Sequence, residues 1–140
     1  MKLLDCCINI TDGTHSTVID TPDTNFYLLS CKNVKDGKIE ITCTDRTISE
    51  STLMFLRRRT NLDINDVVIS SVGTVGEVAT VNRKPNFEFQ RSVAIIKPNN
   101  SIILSKYLEY FLTSINGQYQ IKSLIKGAAQ PCLFLKDLKN

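Results

Sequence analysis

Residues 66–81 read DVVISSVGTVGEVATV, and this stretch decides the fold class. Val67, Val68 and Ile69 form a short β-branched run, and Glu77–Val81 alternates polar with apolar side chains, both of which are strand patterns. Between them, Gly73-Thr74-Val75-Gly76 places two residues without a Cβ in a segment short enough for a tight reversal. The pattern predicts a β-hairpin folded over the GTVG turn.

Working outward, Arg91–Lys97 (RSVAIIK) reads as another strand, stopped by Pro98-Asn99-Asn100. Upstream, Cys6–Ile10 suits an edge strand, and Thr11–Asn25 is a polar loop with Asp12-Gly13, Pro22 and Asp23 as turn formers. Phe26–Leu29 is a compact apolar run that suits a buried strand, whereas Pro85–Phe89 reads as a loop. Asp36-Gly37 separates Asn33-Val34 from the alternating Lys38–Thr42, a two-residue hairpin signal. Ser49–Arg59 predicts a short helix capped by Ser49 or Ser51, with Leu53 and Leu56 on one face. Its last turn holds Arg57-Arg58-Arg59, where cations oppose the negative helix end; phosphate binding is the other use such a triplet has.

Beyond Pro98 the period changes. Leu104, Tyr107, Leu108, Phe111, Leu112 and Ile115 follow helical spacing, predicting an amphipathic helix that ends near Asn116-Gly117. Ile121, Leu124 and Ile125 continue as a shorter helix until Gly127, and residues 128–140 read as a loop, a brief strand and a final turn. With strands leading and helices following, the expected class is α+β, a twisted and mostly antiparallel sheet with a few packed helices, the longest in the C-terminal third. No internal repeat appears and no Gly/Ser- or Pro-rich stretch divides the chain, so residues 1–140 read as one domain.

The 140 residues are 42% hydrophobic and carry 17 Lys+Arg against 14 Asp+Glu. This excludes a disordered charged tail. Charge is unevenly placed: residues 1–45 hold four Lys and seven Asp/Glu, while residues 46–126 hold eleven Lys/Arg and six Asp/Glu. A basic middle region suits a protein that meets phosphate, although an ordinary solvated surface also accounts for it. No apolar run approaches the ~18–20 residues of a membrane span, and MKLLDCCINITD lacks a signal peptide's apolar region, so a cytoplasmic location is expected. The five cysteines include no CxxC pair, and with a lone histidine the expectation is reduced thiols and no metal site.

Catalytic constellations are missing from the sequence. GxSxG, HExxH and GxxxxGK[ST] do not occur, nor does the Asn/Asp-Pro-Pro-aromatic signature of an amino-methyltransferase. The GTVG turn is flanked by strand patterns, whereas the GxxG of a KH domain joins two helices.

The blocks DGTH, YLLSCKNVKDGKI, DVVISSVGTVGEVATV, QRSVAIIKPN, KYLEYFLTS and GAAQPCLFLKDLK, in that order, span essentially the whole chain. Together they resemble a target recognition domain of a type I restriction–modification specificity subunit. The resemblance implies a non-catalytic DNA reader that takes one half of a bipartite site on double-stranded DNA. Adenine methylation and cleavage would belong to partner modification and restriction subunits, as would S-adenosylmethionine, Mg and ATP. Such a subunit has two recognition domains held apart by long spacer helices. This sequence holds one domain and stops at Asp137-Leu138-Lys139-Asn140, as expected of an excised domain, a fragment or a half-subunit paired with a second recognition domain.

In this family the recognition surface lies on loops at one side of the sheet. The expected DNA-binding residues are Thr14, His15, Lys32, Asn33, Ser71, Thr74, Arg83, Lys84, Gln90, Arg91, Lys126 and Gln130. Arg83, Lys84 and Arg91 flank Pro85–Phe89, and one basic patch is expected to hold all three. A protein-interaction module that docks on restriction subunits without touching DNA is the alternative; mimics of that kind are strongly acidic, unlike this chain with its net charge of +3.

Overall fold

In the computed structural model, which describes residues 1–127 and 129–140, the 66–81 stretch forms the expected hairpin. Strands β6 (Val67–Ser70) and β7 (Val78–Thr80) pair antiparallel, with Val67 opposite Thr80 and Ile69 opposite Val78. On the other side of β6 lies β9 (Val93–Pro98), also antiparallel, and beyond it β1 (Cys7–Asp12) forms the edge, giving the order β1-β9-β6-β7.

The apolar continuity of VVIS and VAII has a direct cause: both faces of this sheet are covered. Side chains alternate between faces along a strand. Val67, Ile69, Ala94 and Ile96 pack with Leu108, Leu112 and Ile121 from the C-terminal helices. Val68, Val93 and Ile95 pack on the opposite side with Leu29, Phe87 and Phe89. Each fully buried Val or Ile contributes roughly 1.5–3 kcal/mol relative to exposure, so this sheet is a large part of the core.

Leu29, Phe87 and Phe89 belong to a second sheet, ordered β5-β2-β8, built from β2 (Tyr27–Leu29), β5 (Arg46–Thr47) and β8 (Phe87–Phe89). The pairing of β2 with β8 is parallel, and β8 falls in the stretch expected to be a loop. Its partner lies far along the chain, so nothing local announces the pairing. Helix α1 (Glu50–Thr60) seats Leu53 and Leu56 against Leu28 and Ile48. Ser49 caps it, its hydroxyl accepting from the Thr52 N–H at 3.1 Å. The short hairpin of β3 (Val34–Lys35) and β4 (Lys38–Ile39) turns at Asp36-Gly37 and leans on the outer edge of β7.

Helices α2 (Ser105–Thr113) and α3 (Ile115–Leu124) meet earlier than the sequence pattern suggests. Ser114 caps the end of α2 and the start of α3, its hydroxyl accepting from the Gly117 N–H at 3.1 Å. Asn116-Gly117 therefore starts α3 and does not end α2. At Gly117 an added Cβ would lie 2.0 Å from the Phe111 carbonyl oxygen, so the glycine permits the close helix junction. In the 128–140 segment, whose first residue lies outside the described residues, the expected strand reduces to isolated pairings of Cys132 with Val72 and Lys126. Helix α4 (Leu135–Leu138) follows. The class is α+β with mostly antiparallel pairing, as expected; the described residues form three sheets in place of one. The longest helix is α1 with 11 residues and not one in the C-terminal third, because the junction at Ser114 divides the helical segment there into α2 and α3 of 9 and 10 residues.

Gly13 joins the two larger sheets. A Cβ there would lie 2.1 Å from both the Phe89 and the Gln90 carbonyl oxygens. Gly13→Ala is expected to cost about 3 kcal/mol through this backbone clash, whereas Ile8→Ala on the preceding strand β1, 67% exposed, changes stability by less than about 0.5 kcal/mol. Urea denaturation of the two variants checks the contrast.

Candidate nucleic-acid interface

At Asp12, opposite Ala94, β1 leaves the first sheet. The Gly13 N–H donates to the Val93 carbonyl at 3.0 Å and the Thr14 N–H to the Phe89 carbonyl at 2.8 Å, which lays Thr14 beside Gln90. The same turn draws in other loops. Gln90 N–H donates to Leu29 O at 2.8 Å, Cys31 N–H to Ser92 Oγ at 3.0 Å, and Ser71 N–H to Ser92 O at 2.8 Å. Leu133 N–H donates to Ser71 O at 2.8 Å and Gly73 N–H to Pro131 O at 2.9 Å, while Lys126 and Cys132 exchange backbone bonds.

Residues from five separate parts of the sequence thus ring one end of the molecule. Thr14 and His15, Lys32 and Asn33, Ser71 and Thr74, Gln90 and Arg91, and Lys126 and Gln130 all belong to these segments.

Arg83 and Lys84 do not. Val81 N–H donates to Asp66 O at 2.8 Å and Tyr27 N–H to Asn86 O at 3.0 Å, which fixes the 82–86 loop at the far end of both sheets. The expected single patch of Arg83, Lys84 and Arg91 is therefore not formed. Because Phe87–Phe89 is an extended strand and not a loop, the seven steps from Lys84 to Arg91 span roughly 20 Å at ~3.3 Å per residue.

Within the ring, side chains divide into those that hold loops and those left free. Thr14 (9% exposed), Asn33 (3%) and Ser71 (4%) are buried. The Asn33 amide donates to Glu40 O and to Asp45 Oδ2, both at 2.8 Å, while its Oδ1 accepts from the Ser30 N–H at 3.0 Å. Lys32 pairs with Asp45 at 3.3 Å, His15 with Asp12 at 2.8 Å, and Lys126 with Asp137 at 3.5 Å. Thr74, Arg91 and Gln130 are exposed and Gln90 is half-buried; among the described residues their side chains have no hydrogen-bond partner. These four are the groups available to a ligand without breaking an internal bond.

The structure separates the members of the arginine triplet. Consecutive helical residues point about 100° apart. Arg57 turns inward, its Nε donating to Glu88 and its Nη2 to the Phe87 carbonyl at 2.8 Å. Burial pushes the Glu88 carboxyl above its ordinary value, against the pull of Arg57 and Thr60. Arg59 grips the first loop, its Nη2 donating to the Asp12 and Gly13 carbonyls at 2.7 and 2.6 Å. Arg58 is exposed and, among the described residues, unpartnered. It lines a recess of about 250 Å³ with Thr14, Ser16, Phe55 and Arg59. A larger recess of about 490 Å³, beside β7, is lined by Asp36, Glu77 and Glu109, a charge that repels phosphate.

No group of three His, Cys, Asp or Glu is placed to hold a metal ion among the described residues, and no helix there is long and apolar enough to cross a membrane.

No family model matches the sequence. The chain is 29% identical over 113 residues to the type I restriction enzyme EcoBI specificity subunit of Escherichia coli, a match that covers 81% of this chain and 23% of that subunit. The chain thus spans about a quarter of the curated relative's length. Its fold is similar to that of a type I restriction–modification system S subunit from M. genitalium, with a TM-score of 0.65 and 15% identity, over all of this chain and 32% of that one. The resemblance drawn from the sequence blocks to a specificity subunit is borne out by the first, and the α+β fold by the second.

Asp45 anchors the loop that carries Lys32. Burial acts to raise its carboxyl, but bonds from Thr42, Asn33 and Lys32 outweigh it and hold the group below its ordinary 3.8. A lowered folded value means that the ionised group stabilises fully above pH 3.8 and that this contribution is lost as pH falls below it. Asp45→Asn is expected to cost about 1–3 kcal/mol near neutral pH, with the gap to the parent closing below pH 3.8 in denaturant titrations.

Proposed function

We propose that this chain is a DNA-reading domain of a type I specificity subunit, taking one half of a bipartite target and directing adenine methylation and cleavage carried out by partner subunits. One observation carries the reading. Five loops, distant in sequence, are hydrogen-bonded one to the next around one end of a doubly covered sheet, and they leave Thr74, Gln90, Arg91 and Gln130 uncommitted. Those residue types suit base edges in a major groove. Arg bonds both acceptors of guanine, Gln bonds adenine through donor and acceptor together, and a threonine hydroxyl serves either. Buried Thr14, Asn33 and Ser71 hold the loops in place, and a rigid scaffold limits the entropy lost when the loops meet DNA.

The role is recognition without chemistry. S-adenosylmethionine, Mg and ATP would be used by the modification and restriction subunits, and the complex would work on double-stranded DNA in the cytoplasm. The likeness to specificity subunits supports this division of labour. A second reading, docking on partner subunits without DNA contact, has its own support. Helices α2 and α3 expose Tyr107 (62%), Tyr110 (62%), Ile115 (90%) and Tyr119 (75%), large apolar side chains of the kind that protein contacts bury.

Fluorescence anisotropy of the chain with DNA duplexes separates the two. Weak binding is expected, with log K falling against log salt at a slope of about −3.6 if about four phosphates are neutralised. Arg91→Ala is expected to cost about 1–3 kcal/mol on the preferred sequence. Arg83→Ala and Lys84→Ala, at the far end, should leave binding nearly unchanged. Absence of duplex binding at low salt overturns the DNA reading and favours the docking one.

A further inference from the structure

We infer that the recess beside the first loop is a seat for a nucleic-acid backbone phosphate, with Arg58 as its cation; this rests on the DNA reading above. The recess, about 250 Å³, is several times the ~30 Å³ that a water occupies in the liquid. Its wall includes Arg58, Arg59, Thr14, Ser16, Phe55 and the buried carboxylate of Glu88. Thr14 Oγ1 accepts from the Ser16 N–H at 3.1 Å, which leaves its hydroxyl proton available. Among the described residues the Ser16 hydroxyl has no partner.

The electrostatics favour an anion at Arg58 in particular. Two carboxylates lie nearby, and each is already engaged. Glu88 accepts from Arg57 and from the Thr60 hydroxyl, the latter at 2.8 Å. Asp12 pairs with His15 at 2.8 Å and with Arg59 at 3.4 Å. Three guanidinium groups thus face two carboxylates, and the uncompensated charge is that of Arg58. Arg59 holds the wall rigid by gripping the Asp12 and Gly13 carbonyls.

Thr14 also belongs to the ring, where it lies beside Gln90. A duplex read by Gln90 and Arg91 therefore carries its backbone across the recess. Such a contact sets register and orientation and carries no sequence information. The sequence left this use of the triplet open without saying which arginine would serve.

The test compares the parent chain with Arg58→Ala and Arg58→Lys on mixed-sequence duplexes across a salt series. Arg58→Ala should flatten the slope of log K against log salt by about 0.9 and weaken every duplex by the same factor. Arg58→Lys should keep the parent slope, and thermal melting of both variants should match the parent because the side chain is exposed. If the parent binds duplex and Arg58→Ala keeps its slope, the phosphate seat is overturned while the DNA reading stands. If the parent binds no duplex at low salt, the DNA reading falls and this inference with it. Inorganic phosphate at matched ionic strength should displace little duplex. If it competes through Arg58 as strongly as the duplex binds, the recess serves a free anion and the proposal fails.

Discussion

One missing methyl group holds the candidate interface together. At Gly13 the backbone passes so close to the Phe89–Gln90 peptide that no side chain fits between them. Because of that approach, the chain leaving β1 exchanges its partner in the first sheet for one in the second. The Gly13 N–H still bonds Val93 while the next residue bonds Phe89. The crossing ties two sheets into one unit and puts the first loop beside Gln90. From there a chain of backbone bonds recruits the 29–33, 71–74 and 131–133 segments. A looser junction would leave these loops separate, each losing its own conformational entropy on binding.

Several of the charges in this scaffold pair with one another and hold its elements together. Arg57 and Glu88 connect α1 to β8, Lys97 and Asp66 connect β9 to the start of β6, and Lys32 and Asn33 meet Asp45 across a loop. A buried ion pair gains little net stability over a hydrophobic pair, but removing one partner strands a charge, so such pairs enforce one arrangement. Burial raises the Asp66 carboxyl above its ordinary value even with Lys97 beside it, a measure of how strongly that site excludes water. The modest net charge of +3 is thus a poor guide to binding. What matters at the loop end is which cations remain after internal pairing, chiefly Arg91 and Arg58.

The α2–α3 face is a separate matter. Its exposed tyrosines and Ile115 lie on helices that cover the side of the first sheet away from β8. The fold thus keeps its exposed aromatic side chains on the helices and its free hydrogen-bonding groups on the loops.

Local signals in the sequence were enough for the elements whose causes are local. The GTVG reversal, the Asp36-Gly37 turn, the Ser49 cap and the helical spacing of Leu108 and Leu112 each depend on neighbours a few residues away, so the α+β class and most element positions follow from the residues alone. The order of motifs likewise carried the resemblance to a specificity-subunit domain. Tertiary structure decided what depends on partners far along the chain. Strand β8 exists because Phe87–Phe89 lies parallel to Tyr27–Leu29, and that pairing sends Arg83 and Lys84 to one end and Arg91 to the other. The same distance rule sorted the arginine triplet, since Glu88 and the Gly13 carbonyl, which claim Arg57 and Arg59, arrive only when the sheets close. Side-chain identity is written residue by residue, but whether a charge is free or spent is a property of the folded neighbourhood.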